Sequence, residues 1–67
     1  MKPGDQVRVV RLPKYWGAAD IRNLEGIIIS HMMSSDGKII MNWKHVLIGD
    51  KAWKIPDYCL ELISEAG

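Results

Sequence analysis

A chain of 67 residues is long enough for one small domain, residues 1–67, and too short to enclose a large substrate cavity within a single copy. Its hydrophobic fraction of 48% and charged fraction of 25% exclude a disordered composition. The net charge of +1 does not demand a nucleic-acid partner, and the single cysteine, Cys59, excludes an intrachain disulfide.

The predicted elements begin with a turn at residues 3–5 and a β-strand over residues 6–11. Polar residues alternate there with Val7 and Val9, so we expect these two valines to point inward. Residues 12–23 contain Pro13 and Gly17 and are predicted to form a long loop, in which residues 18–22 could make one helical turn.

Gly26 opens a second predicted strand, residues 27–32, at a point where two backbones are expected to come close. Asp36-Gly37 marks a hairpin before a third strand, residues 38–43, which residues 44–48 either extend or leave. A fourth strand over residues 52–55, one helical turn over 56–59 and a closing strand over 60–63 complete the chain. The sequence therefore predicts an all-β fold, a small five-stranded SH3-like barrel with one short helical turn before the last strand.

Candidate binding residues are concentrated in the first strand and the loop after it. Cations there can steer an acidic partner, and adjacent aromatic rings suit the centre of a protein interface. The competing interpretation is that the cations form a solvated strand face while the tryptophan packs over the end of the barrel. The predicted partner-binding residues are Arg8, Arg11, Lys14, Tyr15, Trp16 and Arg22.

This segment resembles the photosystem I reaction-centre subunit IV (PsaE) family, which also has a glycine, then Val-Arg, two apolar residues, Arg, and a Tyr-Trp pair. The matching residues are Gly4, the run 7–11, and Tyr15-Trp16. Weaker matches are Gly26, the alternating run 39–43 and the acidic, apolar close 60–63. The resemblance implies an SH3-like electron-transport accessory subunit that helps an acidic ferredoxin dock on the cytosolic face of a membrane complex.

Nucleic-acid binding is the main alternative function. The glycine-bounded strand at residues 24–28 loosely fits KOW-type barrels, and aromatic rings beside cations would suit single strands. The low net charge argues against this alternative, because phosphate contacts dominate such affinities.

An enzyme is not predicted, and neither a metal nor another cofactor is expected. His31 and His45 lie in different segments, with no cysteine or carboxylate at a metal-ligand spacing. Residues 52–55 occupy the place of the Val-Gln-Ile-Tyr segment that lines the pore of plasmid-type dihydrofolate reductases, but the Gln and Tyr are missing. We expect Cys59 to be a buried apolar residue rather than a reactive thiol.

A groove for proline-containing peptides could be built from residues 56–58 with Trp43 and Trp53. Packing of these aromatics in the core and rim is the favoured interpretation, because the acidic first loop that SH3 domains use is absent. No targeting segment is recognised, and no apolar stretch approaches the roughly 18 residues of a membrane span. We therefore expect a cytoplasmic protein, either free or peripheral on the cytosolic face of a membrane complex, without direct membrane insertion.

Overall fold

The computed structural model describes residues 1–66, and these residues form an all-β structure. The strands are β1 (Gln6–Val9), β2 (Glu25–Met33), β3 (Ile39–Ile48), β4 (Lys51–Pro56) and β5 (Leu60–Ser64), with a 3₁₀ turn (Asp57–Cys59) between β4 and β5. The predicted all-β class, the five strands and the helical turn before the last strand are confirmed. No helix formed by residues 1–66 has the length and apolar character needed to cross a bilayer.

The predicted end of the first strand is wrong, and the alternative left open at the end of the third strand is decided in favour of extension. β1 ends at Val9 rather than at residue 11, because the chain leaves the sheet ahead of Pro13, which cannot donate a backbone hydrogen bond. β3 continues through residues 44–48 because these residues pair with β4 along their whole length.

Residues 18–22 form no helical turn. The Asp20 carboxylate accepts a hydrogen bond from the Arg22 backbone N–H at 3.1 Å, a local bond that competes with helix formation.

The strands form one antiparallel sheet in the order β4-β3-β2-β1-β5. β4 and β5 are therefore the two edges of the sheet, although only the three residues of the 3₁₀ turn separate them in sequence. The register between β2 and β3 shifts twice, between Ile28 and Ser30 and between His31 and Met32. Such irregularities bend a strand and increase its twist.

The core lies on one face of the sheet and receives at least one buried side chain from every strand. Val7 and Val9 are 0% and 1% exposed, which confirms that they point inward. The remaining core residues are Ile21, Ile28, Val46, Ile55, Cys59 and Leu60, and the partly buried residues packed against them are Leu12, Trp16, Ile48 and Trp53.

Gly26 lies where β2 passes closest to β3. A Cβ atom at this position would lie 2.4 Å from the Leu47 carbonyl oxygen, so any larger residue would push the two strands apart. The predicted close approach of two backbones at Gly26 is confirmed.

Asp5 joins the first turn to the end of the chain. Its carboxylate is buried and accepts hydrogen bonds from the backbone N–H groups of Ala66 at 2.8 Å and Lys2 at 3.0 Å. These bonds, that from Ala66 foremost, lower the pKa of Asp5 to about 2, because they stabilise the ionised carboxylate.

Candidate functional site

Arg8 lies on the outward face of β1 between two glutamates. Its guanidinium is 3.1 Å from the carboxylate of Glu25 on β2 and 3.9 Å from that of Glu61 on β5. Both glutamates are directly opposite Arg8 in the strand register, so one arginine links three strands. Its charge is therefore balanced locally, although exposed pairs of this kind each contribute less than about 1 kcal/mol to stability.

Arg22 is also paired, within the loop between β1 and β2. Its guanidinium donates two hydrogen bonds to the Asp20 carboxylate, at 3.0 Å and 2.7 Å. These bonds, with one from the Arg22 backbone, lower the pKa of Asp20 to about 2. Arg22 therefore fixes the shape of this turn.

Tyr15 is the most exposed large hydrophobic side chain of the loop, with 91% of its surface accessible. Its backbone is in the left-handed region, with φ at 68°, which costs a non-glycine residue roughly 1–3 kcal/mol. A ring that is almost fully exposed gains little packing energy to offset this cost. The neighbouring Lys14 ammonium lies 5.4 Å from the centroid of the Tyr15 ring.

Trp16 lies in a fixed orientation next to Tyr15. Its indole N–H donates a hydrogen bond to the Ala19 carbonyl at 2.8 Å. Its ring centroid lies 5.6 Å from that of Trp53, with the rings tilted by 36°, and both rings pack against the core. Trp16 therefore packs on the core, as the competing interpretation of the sequence expects, and its indole bond to Ala19 also supports the exposed loop beside it.

Lys51 extends the same surface onto β4, where its ammonium lies 4.4 Å from the centroid of the Trp53 ring. We name the resulting surface the aromatic-cation cluster, and it consists of Lys14, Tyr15, Trp16, Lys51 and Trp53. The sequence prediction missed Lys51 and Trp53. Their spacing of two residues in a strand indicates that they share a face, but nothing in the sequence indicates that this face meets the loop carrying Trp16.

Unpaired charge near the cluster is mostly positive. Of the nine lysines and arginines, four form no ion pair with any residue in the range 1–66, and these are Arg11, Lys14, Lys51 and Lys54. Two of the four lie in the aromatic-cation cluster and Arg11 is exposed in the same loop. The acidic residues without such a pair are Asp50 and Glu65.

The structure places the six predicted binding residues in two groups. Lys14, Tyr15 and Trp16 come together, with Arg11 in the same loop, whereas Arg8 and Arg22 are engaged by carboxylates elsewhere. His31 and His45 are half-buried, and within the described part of the chain no three or more His, Cys, Asp or Glu side chains are arranged to hold a metal. Cys59 is fully buried as expected, and burial raises the pKa of its thiol.

No family model, curated protein or solved structure matches the chain. The resemblance to photosystem I subunit IV, which depends on residues 4–16 above all, therefore stays a prediction.

Proposed function

We propose that this chain is a non-catalytic SH3-like barrel that binds an acidic protein partner through the aromatic-cation cluster, with Arg11 as a flanking cation. The observation that carries the proposal is the presentation of Tyr15, whose ring is exposed by an unfavourable backbone conformation beside unpaired cations. Energetically costly conformations that bring no packing gain are concentrated at functional sites in proteins.

The connection between the edge strands supports the barrel. In a flat sheet of five strands the two edges would be about 19 Å apart, at ~4.8 Å per strand spacing. The 3₁₀ turn spans only about 8 Å from Pro56 to Leu60, at ~2 Å per residue. So short a connection favours a curled sheet in which β4 and β5 approach each other, and this supports the SH3-like barrel of the proposal.

The charges support an acidic partner. Lys14 lies beside the Tyr15 ring and Lys51 beside the Trp53 ring, and neither ammonium is held in an ion pair within the range 1–66, so both can attract carboxylates at long range. Charges placed in this way raise the association rate, while buried aromatic side chains slow dissociation. The most specific partner that we propose is an acidic ferredoxin, as the family resemblance implies. Such an accessory subunit would also contact the core of a membrane complex through a second surface.

The same geometry disfavours nucleic acid. Binding of single strands requires open aromatic faces on which bases can stack. Of the three rings in the cluster only that of Tyr15 is openly exposed, because Trp16 and Trp53 contact each other and the Lys51 ammonium lies over the Trp53 ring. A KOW-like barrel therefore stays the second candidate and becomes an outcome of the binding test.

Arg8 and Arg22 have structural roles in this proposal. Reversing the charge of Arg8 would place three carboxylates side by side on β2, β1 and β5, because Glu25 and Glu61 flank it. That variant would lose stability as well as positive charge, so it cannot report on binding alone.

The proposal is tested by measuring the association rate with an acidic ferredoxin. We expect the variant Lys14→Glu/Lys51→Glu to associate at least about tenfold more slowly at low salt, and the difference to shrink near 0.15 M salt, where the screening length is ~8 Å. The control Lys38→Glu/Lys54→Glu makes the same change in net charge away from the cluster. Equal rates for the two variants would contradict the proposed surface, and binding of a single-stranded oligonucleotide in place of ferredoxin would favour the KOW-like alternative.

A further inference from the structure

Three successive isoleucines in β2 break the alternation expected of a strand with one solvated face. Ile28 is buried, at 1% exposure, whereas Ile27 and Ile29 on either side of it are 50% and 47% exposed. Antiparallel strands that face water on one side alternate apolar with polar residues, and continuous apolar runs are typical of strands covered on both faces. The sequence of β2 is therefore that of a strand covered on its outward face as well.

The exposed side chains form one continuous apolar surface on that outward face. Ile27 pairs with Leu47 of β3, and Leu47 pairs with Ala52 of the edge strand β4. Leu47 is 40% exposed and Ala52 is also exposed. Residues directly opposite each other in neighbouring strands share a face, and a contiguous apolar patch of this kind marks an interaction site. We call this surface, which consists of Ile27, Ile29, Leu47 and Ala52, the outer apolar face.

The outer apolar face has a depression toward one end and a projecting side chain toward the other. The depression has a volume of about 280 Å³, and its lining residues are Gln6, Glu25, Gly26, Ile27, Leu47 and Gly49. It extends toward Glu25, which precedes Ile27 in β2, whereas Ile29 follows Ile27. The register between β2 and β3 shifts at Ile29, and such bulges turn a side chain out of the sheet.

Two charged residues lie at equal distances along the chain from Ala52. Lys54 is exposed and points outward like Ala52, because side chains two residues apart in a strand share a face. Asp50 is exposed in the turn before β4, two residues from Ala52 in the other direction. Neither Asp50 nor Lys54 forms an ion pair with any residue in the range 1–66. A rotation of 180° about a line across the strands at Ala52 exchanges the two positions.

We propose that the outer apolar face binds a second copy of this chain, about a two-fold axis that runs across the strands along Ile27, Leu47 and Ala52. Two sheets that pack face to face lie about 10 Å apart, and their side chains fill the gap. The axis places Asp50 of one copy near Lys54 of the other, and this pair occurs twice in the dimer.

The same axis also matches the shapes of the two copies. It places Ile29 of each copy over the Glu25 end of the other, where the depression lies, so that each projecting side chain fills the depression opposite. An axis along the strands would instead keep each end of the outer apolar face over the same end of the second copy. Complementary charge and complementary shape therefore favour one arrangement, which is an isologous dimer.

The dimer leaves the aromatic-cation cluster accessible. Trp53 packs against the core, so it lies on the opposite side of β4 from Ala52 and Lys54. Self-association and binding of an acidic partner are therefore separate properties of the molecule, and either one can fail without the other.

The test is sedimentation equilibrium of the full chain at concentrations from about 1 µM to 1 mM, a range that covers weak and moderate interfaces. We expect the mean mass to rise from that of a monomer to that of a dimer. Ile29→Glu should weaken association at least about hundredfold, because a symmetric interface loses the apolar contact twice and gains two charges. A monomer at every concentration would overturn the proposal and assign the outer apolar face to a different protein.

Ile39→Glu is the matched control for Ile29→Glu. Ile39 is 51% exposed and lies in β3 outside the outer apolar face, so the same change should alter the dimer affinity by no more than about twofold. Circular dichroism checks that both variants are folded. Equal effects of the two variants would overturn the assignment of the surface.

Exchange of the two charges tests the two-fold arrangement. Asp50→Lys should weaken association several-fold at low salt, because it brings two lysines together at both sites of the dimer. The double variant Asp50→Lys/Lys54→Asp should regain the wild-type affinity within about twofold, because the pairs form again in the opposite sense. Within one copy the two residues are about 14 Å apart along the strand, so they cannot compensate each other there. A double variant that associates no more tightly than Asp50→Lys would overturn this arrangement.

Discussion

Replacing Asp57 by Asn should destabilise the fold strongly, because it leaves the buried ammonium of Lys44 without its carboxylate. The two carboxylate oxygens lie 2.9 Å and 3.0 Å from the ammonium, and Asn keeps only one of these acceptors and none of the negative charge. Breaking a buried ion pair from one side costs about 3–5 kcal/mol. Because the Asp57 side chain is 33% exposed, water can reach this position, so we expect the lower value, about 3 kcal/mol.

A loss of this size is a large part of the total stability. A chain of 67 residues has a free energy of unfolding of roughly 3–10 kcal/mol, at ~0.05–0.15 kcal/mol per residue. The midpoint of thermal unfolding should fall by roughly 12–24 °C, since domains of this size lose ~4–8 °C per kcal/mol.

The assay is urea and thermal unfolding at neutral pH, followed by tryptophan fluorescence and circular dichroism. Lys44→Met removes the buried charge itself and should cost only about 1 kcal/mol, because the partly exposed Asp57 carboxylate can be hydrated. The double variant Lys44→Met/Asp57→Asn should therefore be about 2 kcal/mol more stable than Asp57→Asn alone.

Asp50→Asn is the matched control, because Asp50 is exposed and should tolerate the change within about 0.5 kcal/mol. Equal stability of Asp57→Asn and this control would show that the Lys44–Asp57 pair does not stabilise the fold. A double variant no more stable than Asp57→Asn would show that the buried Lys44 charge is not the source of the loss.

Three further predictions concern the backbone and the termini. Gly26→Ala should cost about 2–3 kcal/mol in urea unfolding, because its Cβ would lie 2.4 Å from a backbone oxygen, whereas Gly17→Ala, with open space around it, should be nearly neutral. The stabilisation by the ionised Asp5 carboxylate should be complete above its unfolded pKa of 3.8 and should disappear as the pH falls toward its folded pKa of about 2. Between these two pH values the free energy of unfolding should therefore fall more steeply for the wild type than for Asp5→Asn, which acid titration of the unfolding transition measures. Tyr15→Gly should raise the free energy of unfolding by up to about 1 kcal/mol while it weakens binding of the acidic partner, and a fall in stability would contradict the unfavourable conformation assigned to Tyr15.

Much of the fold could be predicted from local patterns. The alternation of Val7 and Val9 with polar residues gave their direction correctly, and Gly26 marked a close approach of two strands. Pro56 before a short polar-aromatic run identified the turn that precedes the last strand. These features depend on near neighbours in the sequence or on the special conformation of one residue type.

The candidate site was less predictable because it depends on pairings between distant segments. Arg8 has the same local pattern whether or not Glu25 and Glu61 flank it, and only the strand register brings those carboxylates to it. In the same way, the contact between Trp16 and Trp53 depends on how the long loop folds over the core. The sequence of a single strand or loop therefore predicts neither the ion pairs of Arg8 nor the contact between Trp16 and Trp53.

Binding of an acidic protein at the aromatic-cation cluster can be measured by an amide-shift titration with an acidic ferredoxin at low and moderate salt. If the cluster is the binding surface, saturable shifts that weaken as salt is added are expected at Arg11, Lys14, Tyr15, Trp16, Lys51 and Trp53. The absence of shifts at these residues, with shifts confined to the opposite face of β4 around Lys54, would contradict it.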